Sequence, residues 1–451
     1  MVSRRALRLL FATLLVASVA GLAYGAATAP TTASADSVPR PEPRDGHTVV
    51  TESAKFGTIV AWRPNGSLLH YGDAHTKYFD VDPVEGESLT VEYAATDTIH
   101  TSGPTCESPP CTRNVIERLN LSTGETREIY ARYDDSELAA EWHDHVRVGD
   151  ERILIADIVD DQVFVVNTTT ELVEWRWDAQ SDFPVEGGGP YPEDWAHIND
   201  VSLLDDGRVA VSLRNQDQVV FLDRETGLVE NWTLGSDGDH ATLYEQHNPD
   251  YIPPERGGPA AVVADSENGR IVEYQRVDPE TGNATTAADG VWRRTWQWQD
   301  ARIQWPRDAD RLPNGNTLIA DTHGKRVLEV DPQGEVVWSV PVSHPYDVER
   351  LETGGESAGG ESAARLGLES RTADRSTESG FDPLEPLSDL VSLVVPSRVV
   401  NGVIFLSPVW MGRPEFAAAL LGIGTVLAWV GAEVRWRLPE FGVRWPVYRE
   451  K

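Results

Sequence analysis

The sequence has little cysteine and little lysine, and each shortage excludes a class of protein. With two cysteines in 451 residues, it is not a small domain held together by several disulfides. Its 72 acidic residues against 39 basic ones give a formal net charge of −33. Such a negative field repels a phosphate backbone, so we expect no nucleic-acid partner.

Aromatic residues, by contrast, are plentiful. The 15 Trp, 12 Tyr and 10 Phe can build a large core, so the chain is not predicted to be disordered. The basic residues are arginines except for four lysines, Lys55, Lys77, Lys325 and Lys451. This depletion of lysine with an excess of acidic residues resembles the proteins of salt-loving (halophilic) archaea, and it accounts for the charge without any ligand.

Residues 1–25 have the pattern of an export signal. Arg4 and Arg5 precede an unbroken apolar run, and the arginine pair suggests the twin-arginine export route. A small-x-small site ends at Gly25, so this segment is either a cleaved signal peptide or an uncleaved signal anchor. Residues 26–45 are then a linker.

The other end of the chain predicts a membrane anchor. Residues 416–434 are apolar and about long enough to cross a bilayer, and the basic tail 435–451 is expected on the cytoplasmic side. Residues 387–411 read as an apolar juxtamembrane segment, with a second span as the weaker alternative. Residues 353–386 are rich in Gly, Ser and Glu, and this composition predicts a flexible linker. We therefore expect a protein of the cell membrane whose main domain is extracellular.

Cys106 and Cys111 flank a short turn-forming spacer. An exterior location permits a disulfide between them. Because no second pair of ligands follows, the sequence does not predict a metal site here.

Residues 46–352 contain a repeat with a period of roughly 40 to 55 residues, the scale of propeller blades. Each copy consists of short β-branched runs separated by Asp-Gly, Asn-Gly, Thr-Gly or Gln-Gly turns, which predicts four antiparallel strands per copy. We count six copies, and the four plainest begin near Glu141, Asp194, Glu245 and Trp305. The run beginning at His344 resembles an inner strand that returns to complete the first blade. The fold class is therefore an all-β, six-bladed β-propeller.

Propeller topology places several histidines and arginines on one face. Connections between blades and the loops between the second and third strands of a blade lie on the same side. We expect the following residues to converge on one axial mouth: His143, His197, Arg214, His247, Arg270, Arg307, His323 and His344.

A cluster of His and Arg without neighbouring cysteines or paired carboxylates suits an anionic substrate better than a metal. Arginine clamps sulfuryl or phosphoryl oxygens, and neutral histidine is a competent nucleophile or general base. No metal or cofactor is predicted. The alternative is that each histidine caps a blade turn through backbone hydrogen bonds.

Several stretches in the middle blades resemble the exported, PAPS-independent arylsulfotransferases. They are Asp194-Trp-Ala-His197-Ile-Asn-Asp-Val, Ser212-Leu-Arg-Asn-Gln216, Gln246-His247, Arg270-Ile-Val-Glu-Tyr274 and Leu312-Pro-Asn-Gly-Asn-Thr-Leu-Ile. The similarity covers roughly residues 57–351. It implies a six-bladed propeller that moves a sulfuryl group from a phenolic sulfate ester to a phenol acceptor through a sulfohistidine intermediate.

The resemblance also implies roles for individual residues. His197 and His247 would act as acid/base groups and Arg270 as a sulfuryl clamp, with His344 or His323 as the nucleophile. Arg214, Asn199, His143 and Arg307 are the candidate substrate-binding residues. The alternative function is a non-catalytic cell-surface propeller that binds a protein or glycan partner. A quinone-cofactor dehydrogenase fits less well, because no paired cysteines or metal-binding acidic cluster accompany the blades.

Overall fold

The structure is a computed structural model that describes residues 3–29, 33–135, 140–354, 359–372, 391 and 395–437. It divides into two compact units, one formed by the two ends of the chain and one by Ala33–Ser379. The second unit contains six β-sheets whose inner strands contact one another in a closed ring. The prediction of a six-bladed β-propeller is therefore confirmed.

Blades 1 to 3 each have four strands, which follow one another from the axis outward. Blade 1 contains β25 (Pro345–Arg350), β1 (Thr48–Glu52), β2 (Ile59–Trp62) and β3 (Leu68–Gly72). Blade 2 contains β4 (Lys77–Pro83), β5 (Thr90–Ile99), β6 (Cys111–Asn120) and β7 (Thr126–Asp134). Blade 3 contains β8 (Trp142–Arg147), β9 (Arg152–Asp157), β10 (Gln162–Asn167) and β11 (Leu172–Asp178).

Blades 4 to 6 follow the same plan with changes at their outer edges. Blade 4 contains β12 (Ile198–Leu203), β13 (Val209–Leu213), β14 (Gln218–Asp223) and two short outer strands, β15 (Gly227–Leu228) and β16 (Leu234–Gly235). Blade 5 contains β17 (His247–Ile252), β18 (Ala260–Asp265), β19 (Arg270–Val277), β20 (Val291–Gln299) and the added strand β26 (Arg371–Thr372). Blade 6 contains β21 (Pro306–Arg311), β22 (Thr317–Asp321), β23 (Arg326–Val330) and β24 (Val336–Pro341).

Blade 1 is closed by the two ends of the propeller region, since β25 pairs antiparallel with β1. As the sequence predicts, this closure removes the open edges of the ring. The hydrophobic core follows the ring: six buried clusters of aliphatic and aromatic side chains each lie between two neighbouring blades. Because each blade packs on both neighbours, the inner strands are held rigidly around the axis.

The inner strands share a feature that positions the site, a β-bulge at the same place in all six. The register of pairing shifts between Tyr78 and Val81, Trp142 and Asp144, Ile198 and Asp200, His247 and Asp250, Pro306 and Asp308, and on β25 between Pro345 and Val348. A bulge leaves a residue out of the pairing and redirects its side chain. Consecutive residues of each inner strand can therefore both face the axis, which simple alternation forbids.

The prediction of a flexible linker over 353–386 is wrong for residues 359–372, which pack on blade 5. A short helix, α2 (Ala363–Leu366), follows Ser362, and β26 pairs parallel with β20. The backbone N–H of Ala363 donates to the buried Glu273 carboxylate, and the Ala363 side chain joins the cluster between blades 5 and 6. Buried contacts of this kind offset the entropy that a Gly- and Ser-rich segment loses on ordering.

In the other unit, the described residues include three helices with defined bounds. Helix α1 (Arg4–Thr28) and helix α4 (Arg413–Arg437) are long and apolar enough to span a membrane, and α3 (Ser397–Leu406) is shorter. Helices α1 and α4 lie antiparallel, because Arg8 pairs with Glu433 near one end and the Ser18 hydroxyl donates to the Ala418 carbonyl further along. The signal segment and the predicted anchor are thus packing partners in this structure.

The disulfide predicted from the sequence is present. Cys106 and Cys111 are joined in the connection between β5 and β6, with their Cα atoms 5.8 Å apart.

Candidate active site at the propeller axis

One residue from each inner strand meets its counterparts at the axis. These six residues, the middle layer, are Phe79, His143, Asn199, His247, Arg307 and Tyr346, and each lies at or beside the bulge of its strand. Tyr346 lies at the centre. Its ring is 5.2 Å from Phe79, 5.6 Å from His143 and 6.3 Å from His247, measured between centroids.

Two residues earlier in the chain than each middle-layer residue lies a second set, the mouth layer: Lys77, Glu141, His197, Glu245, Trp305 and His344. Four of these six have a left-handed backbone, with φ between 46° and 59° at His197, Glu245, Trp305 and His344. That conformation is strained for bulky side chains and is concentrated at functional sites. Because it recurs in successive blades, it is part of how the chain enters the inner strands of blades 4, 5, 6 and 1.

All five histidines predicted to converge do so. Ring contacts run without a gap from His197 to His143 (4.9 Å), through Tyr346 to His247, and from there to Trp305 (5.8 Å). Trp305 then contacts His323 at 4.3 Å, and His323 lies 5.8 Å from His344. Both candidate nucleophiles therefore belong to the same cluster as His197 and His247.

His344 is held so that one ring nitrogen stays unbonded. Its Nδ1 lies 3.2 Å from the Ser343 hydroxyl, which in turn hydrogen-bonds the buried Glu52 carboxyl. With the Ser343 hydroxyl donating to Glu52, His344 Nδ1–H donates to Ser343 Oγ and its lone pair is on Nε2. That Nε2 is buried and has no hydrogen-bond partner among the described residues.

His197 and His247 are oriented by different partners. His197 Nδ1 lies 2.5 Å from Asp194 Oδ1, three residues earlier. His247 Nδ1 lies 2.8 Å from Ser266 Oγ, whose hydroxyl donates to the Pro306 carbonyl. Nδ1–H of His247 is therefore the donor, and its Nε2 carries the lone pair.

Burial and positive neighbours keep the inner histidines neutral. Burial, reinforced by His323, Lys325, Lys55 and Arg307, lowers the pKa of His344 to about 2. Burial and nearby cationic groups also lower the pKa of His143 and of His247 well below the ordinary range. Neutral imidazoles of this kind suit a nucleophile or a base.

Arg307 is a buried cation without a carboxylate partner. Its Nη1 donates to Ser53 Oγ at 2.6 Å, and its guanidinium stacks over the rings of Trp305 (4.2 Å) and Tyr346 (5.1 Å). Among the described residues no carboxylate pairs with it, and its Nε has no partner. Burial lowers the pKa of Arg307 to about 10, so it stays charged at neutral pH.

Arg214 and Asn199 also reach this end of the axis. The Arg214 guanidinium pairs with Glu245 of the mouth layer and donates to Asn215. The Asn199 side chain donates to the Gln246 carbonyl at 2.9 Å, and the Asn199 carbonyl accepts from the Tyr346 hydroxyl at 3.4 Å. Arg214 thus joins the end of β13 to the segment just before β17, and Asn199 joins the inner strand β12 to that same segment.

Arg270 does not join the cluster. Its Nε donates to Asp265 Oδ2 at 2.5 Å, and its Nη2 donates to the carbonyls of Ala241 and Thr242. The same pairing recurs in blade 6, where Arg326 Nε donates to Asp321. Because the same Arg–Asp pair occurs in blades 5 and 6, its role is best explained as structural: it joins the second and third strands of a blade.

Sequence reasoning missed the lysines of this site. Lys77 lies in the mouth layer and pairs with Glu141, while Lys55 and Lys325 are near enough to His344 to lower its pKa. Three of the chain's four lysines thus surround one cluster. The sequence did contain a signal for them. Lysine is rare in this chain, so each remaining lysine was a candidate functional residue.

Below the middle layer the axis becomes acidic. The residues that follow the middle layer are Asp80, Asp144, Asp200, Asn248, Asp308 and Asp347, which we call the acidic layer. All six line one cavity, together with Ser202, Asp250, Asp310 and Glu349 from further along the same strands. The propeller axis therefore has a cationic, histidine-rich end and a carboxylate-rich end.

Comparison with solved structures finds matches to proteins whose sequence identity to this chain is low. A protein of unknown function from Bacteroides caccae is 12% identical, with 67% of this chain and 97% of that chain covered and a TM-score of 0.43. The periplasmic gluconolactonase PpgL of Pseudomonas aeruginosa is 15% identical (68% and 99% covered, TM-score 0.41). A virginiamycin B lyase from Staphylococcus aureus is 8% identical (66% and 85% covered, TM-score 0.37).

A search of curated proteins finds no match. A family model does match, over the part of the chain that runs from just before β8 to the residue preceding His344. This part supplies blades 3 to 6, and with them His143, His197, His247, Arg307 and His323. Residues 137–343 match the model of the arylsulfotransferase (ASST) family.

Proposed function

We propose that this chain is an aryl sulfate sulfotransferase that moves a sulfuryl group from a phenolic sulfate ester to a phenol. The family match supports an arylsulfotransferase activity in general. The observation that carries the specific proposal is the buried Arg307 guanidinium, which has no carboxylate partner among the described residues and lies within the histidine cluster. A buried, unpaired cation is costly unless an anion completes it.

His344 is the proposed nucleophile in preference to His323. Its ring is fixed through Ser343 and Glu52, its Nε2 is unbonded, and it is neutral at every physiological pH. These are the requirements for attack on sulfur by an imidazole. His323 stacks on Trp305 and is better placed to line the substrate site.

The proposed sulfuryl transfer takes place in two steps, each of which forms one bond to sulfur and breaks another. In the first, the Nε2 lone pair of His344 forms an N–S bond while the S–O bond to the aryl group breaks, and the phenolate leaves with the bonding electrons. In the second, the oxygen of a phenol acceptor forms a bond to sulfur and the N–S bond breaks, which restores His344. No metal or redox cofactor is required by this sequence of bonds.

Protons and charge are handled by the neighbouring groups. His197, whose Nδ1–H is held by Asp194, protonates the departing phenolate and later deprotonates the acceptor. Although burial alone would raise the pKa of Asp194, the His197 ring and the Arg214 guanidinium lower it below the usual range. Arg307, aided by Lys55 and Lys325, stabilises the sulfuryl oxygens as negative charge redistributes.

Transfer of sulfate from p-nitrophenyl sulfate to added phenol tests the proposal. The full-length chain in detergent at high salt is compared with His344→Ala, His323→Ala and the exposed control His100→Ala. We expect phenol-dependent release of p-nitrophenol that falls by at least about a thousandfold in His344→Ala and is unchanged in His100→Ala. Acid-labile, alkali-stable sulfate bound to the unsubstituted chain, but absent from His344→Ala, would identify the intermediate.

A folded chain that turns over no donor in a panel of aryl sulfates would contradict the proposal. The function would then be the alternative one, a cell-surface propeller that binds a protein or glycan. Loss of activity in His323→Ala with full activity in His344→Ala would instead reassign the nucleophile.

The cellular setting is part of the proposal. The two long apolar helices favour an integral membrane protein, with α1 retained as a signal anchor because its packing partner is α4. We further propose a halophilic archaeal origin from the lysine-poor, acidic composition, with the propeller outside the cell and the basic end of the chain in the cytoplasm.

A further inference from the structure

Glu52 is a buried carboxyl next to the proposed nucleophile. It is the last residue of β1, it is 2% exposed, and in the pairing of β1 with β25 it lies opposite the residue that follows His344. Three donors reach its carboxyl group: the Thr58 hydroxyl at 3.0 Å, the Phe56 backbone N–H at 3.4 Å and the Ser343 hydroxyl. The protonation state of Glu52 therefore affects each of these hydrogen bonds.

The Ser343 hydroxyl connects Glu52 to His344. Its oxygen lies 3.2 Å from His344 Nδ1, and the same hydroxyl hydrogen-bonds the Glu52 carboxyl. A hydroxyl has one proton, so it donates to only one of these two neighbours at a time. It then accepts from the other neighbour. The direction of the bond to Glu52 thus fixes the direction of the bond to His344.

Two arrangements of protons satisfy this chain of hydrogen bonds. When Glu52 is ionised it can only accept, so Ser343 donates to it and His344 Nδ1–H donates to Ser343 Oγ. When Glu52 is protonated, its O–H donates to Ser343 Oγ, the Ser343 hydroxyl donates to Nδ1, and the imidazole proton is on Nε2. His344 Nε2 has no hydrogen-bond partner among the described residues, and it carries a lone pair only in the first arrangement.

We propose that Glu52 and Ser343 are positioning residues that set the tautomer of His344, so that Nε2 has its nucleophilic lone pair only while Glu52 is ionised. This role rests on the proposed function, in which Nε2 attacks sulfur. An imidazole with its proton on Nε2 has no lone pair there and cannot form the N–S bond. Loss of the Glu52 proton to solvent therefore activates the nucleophile, while His344 stays neutral in both arrangements.

The surrounding groups place this switch within reach of neutral pH. Burial raises the pKa of Glu52 to about 8, although its three hydrogen-bond donors and the charge of Lys55 act to lower it. Burial raises the pKa of Tyr71, a neighbour of Glu52 on β3, to about 12, so Tyr71 stays neutral in this range. Burial and the groups around His344 keep its ring unprotonated. These groups are His323, Lys325, Lys55 and Arg307.

The pH profile of the first transfer step tests the switch, with the full-length chain in detergent at high salt. For p-nitrophenyl sulfate we expect kcat/KM to rise about tenfold per pH unit below the Glu52 pKa of about 8 and to level off above it. Glu52→Gln presents an amide N–H to Ser343 and so reproduces the protonated state. Above the Glu52 pKa this variant should lose at least about tenfold in kcat/KM, and it should show no rise with pH.

Ser343→Ala separates the switch from a simple effect of charge. Glu52 still titrates in this variant, but no hydroxyl connects it to His344, so the rise with pH should disappear. Ser343→Thr restores the hydroxyl and should recover the rise. The matched control is Ser102→Ala, which is exposed in the connection between β5 and β6 and should keep the full rise. A rise of unchanged size in Ser343→Ala would overturn the proposal.

The ¹⁵N resonances of histidine report the tautomer without turnover, because a ring nitrogen with a lone pair and one with a proton differ in chemical shift. The His344 signals are assigned by their absence from His344→Gln. We expect the lone pair on Nε2 at about pH 10 and on Nδ1 at about pH 6, two units on either side of the Glu52 pKa of about 8. The same tautomer at both pH values would overturn the proposal. A change of tautomer in a chain that transfers no aryl sulfate would support the hydrogen-bond switch and contradict the proposed function.

Discussion

The two ends of the propeller axis are built by the same six strands, yet they have opposite chemistry. Toward the start of each inner strand lie histidines, Arg307 and lysines, and a few residues later the same strands present carboxylates. The middle layer around Tyr346 lies between them. The comparison teaches that the bulge matters as much as the residue types, because it lets a middle-layer residue and the aspartate after it both face the axis.

After the loss of His344 itself, the largest expected effect comes from removing the cation of the histidine-rich end. Arg307→Ala should lower kcat/KM for aryl sulfate by about a hundred- to a thousandfold, because a preorganised positive charge on the transferring group is lost. Steady-state kinetics with p-nitrophenyl sulfate, at equal folded fraction judged by circular dichroism, measure this. Added guanidinium should restore part of the rate. An unchanged kcat/KM would remove Arg307 from the site.

Arg270→Ala should separate stability from catalysis. Breaking the pair with the buried Asp265 leaves a carboxylate without its partner, at a cost of about 4 kcal/mol of unfolding free energy. Denaturant unfolding measures this against the exposed control Arg176→Ala. Because Arg270 does not contact the histidine cluster, kcat per folded molecule should remain near that of the parent. A loss of kcat as large as that of Arg307→Ala would restore Arg270 as a sulfuryl clamp.

Glu52 makes the histidine-rich end sensitive to pH. Burial raises the pKa of Glu52 to about 8, above the ordinary value of 4.5. Between these values the folded chain holds a proton that the unfolded chain releases, so this group's contribution to stability declines as pH rises through the window and is constant below it. Glu52→Gln should remove this slope, on the order of 5 kcal/mol in total.

Unfolding by denaturant at several pH values between 4.5 and 8 measures the slope. The exposed control Glu151→Gln should keep it. A slope of the same size in Glu52→Gln would assign it to other groups, such as the carboxylates of the axial cavity.

The smallest expected effect is at the boundary between the two ends. Tyr346→Phe keeps the ring contacts with Phe79, His143 and His247 and loses one long hydrogen bond to the Asn199 carbonyl. Thermal melting should show a loss of less than about 1 kcal/mol. A much larger loss would mean that the hydroxyl, and not the ring, holds the middle layer together.

The architecture could be predicted from the sequence because each repeat is specified by residues close together in the chain. Turn dipeptides and β-branched runs specify four strands per blade, and the likeness between the runs after His197 and His344 predicted the closing strand. The convergence of His143, His197 and His247 followed from topology alone. These features need only the order of strands in a blade.

What the sequence did not predict depends on contacts between blades. Asp144, Asp200, Asp308 and Asp347 stand one residue after middle-layer positions, a pattern visible in the sequence, but only the bulge turns them toward a common cavity. The partner of Arg270 is a carboxylate five residues earlier, so its role could be assigned only from geometry. The ordering of residues 359–372 depended in the same way on a distant buried carboxylate, Glu273.

The closing strand β25 and the residue just before it supply His344, Tyr346 and Asp347, one residue for each of three axial layers. During synthesis this strand is made after the other five inner strands, and it enters the ring only when it pairs with β1. Both ends of the axis are therefore completed in a single late event. A nascent chain that stops short of this strand lacks both His344, the proposed nucleophile, and Asp347 of the acidic layer.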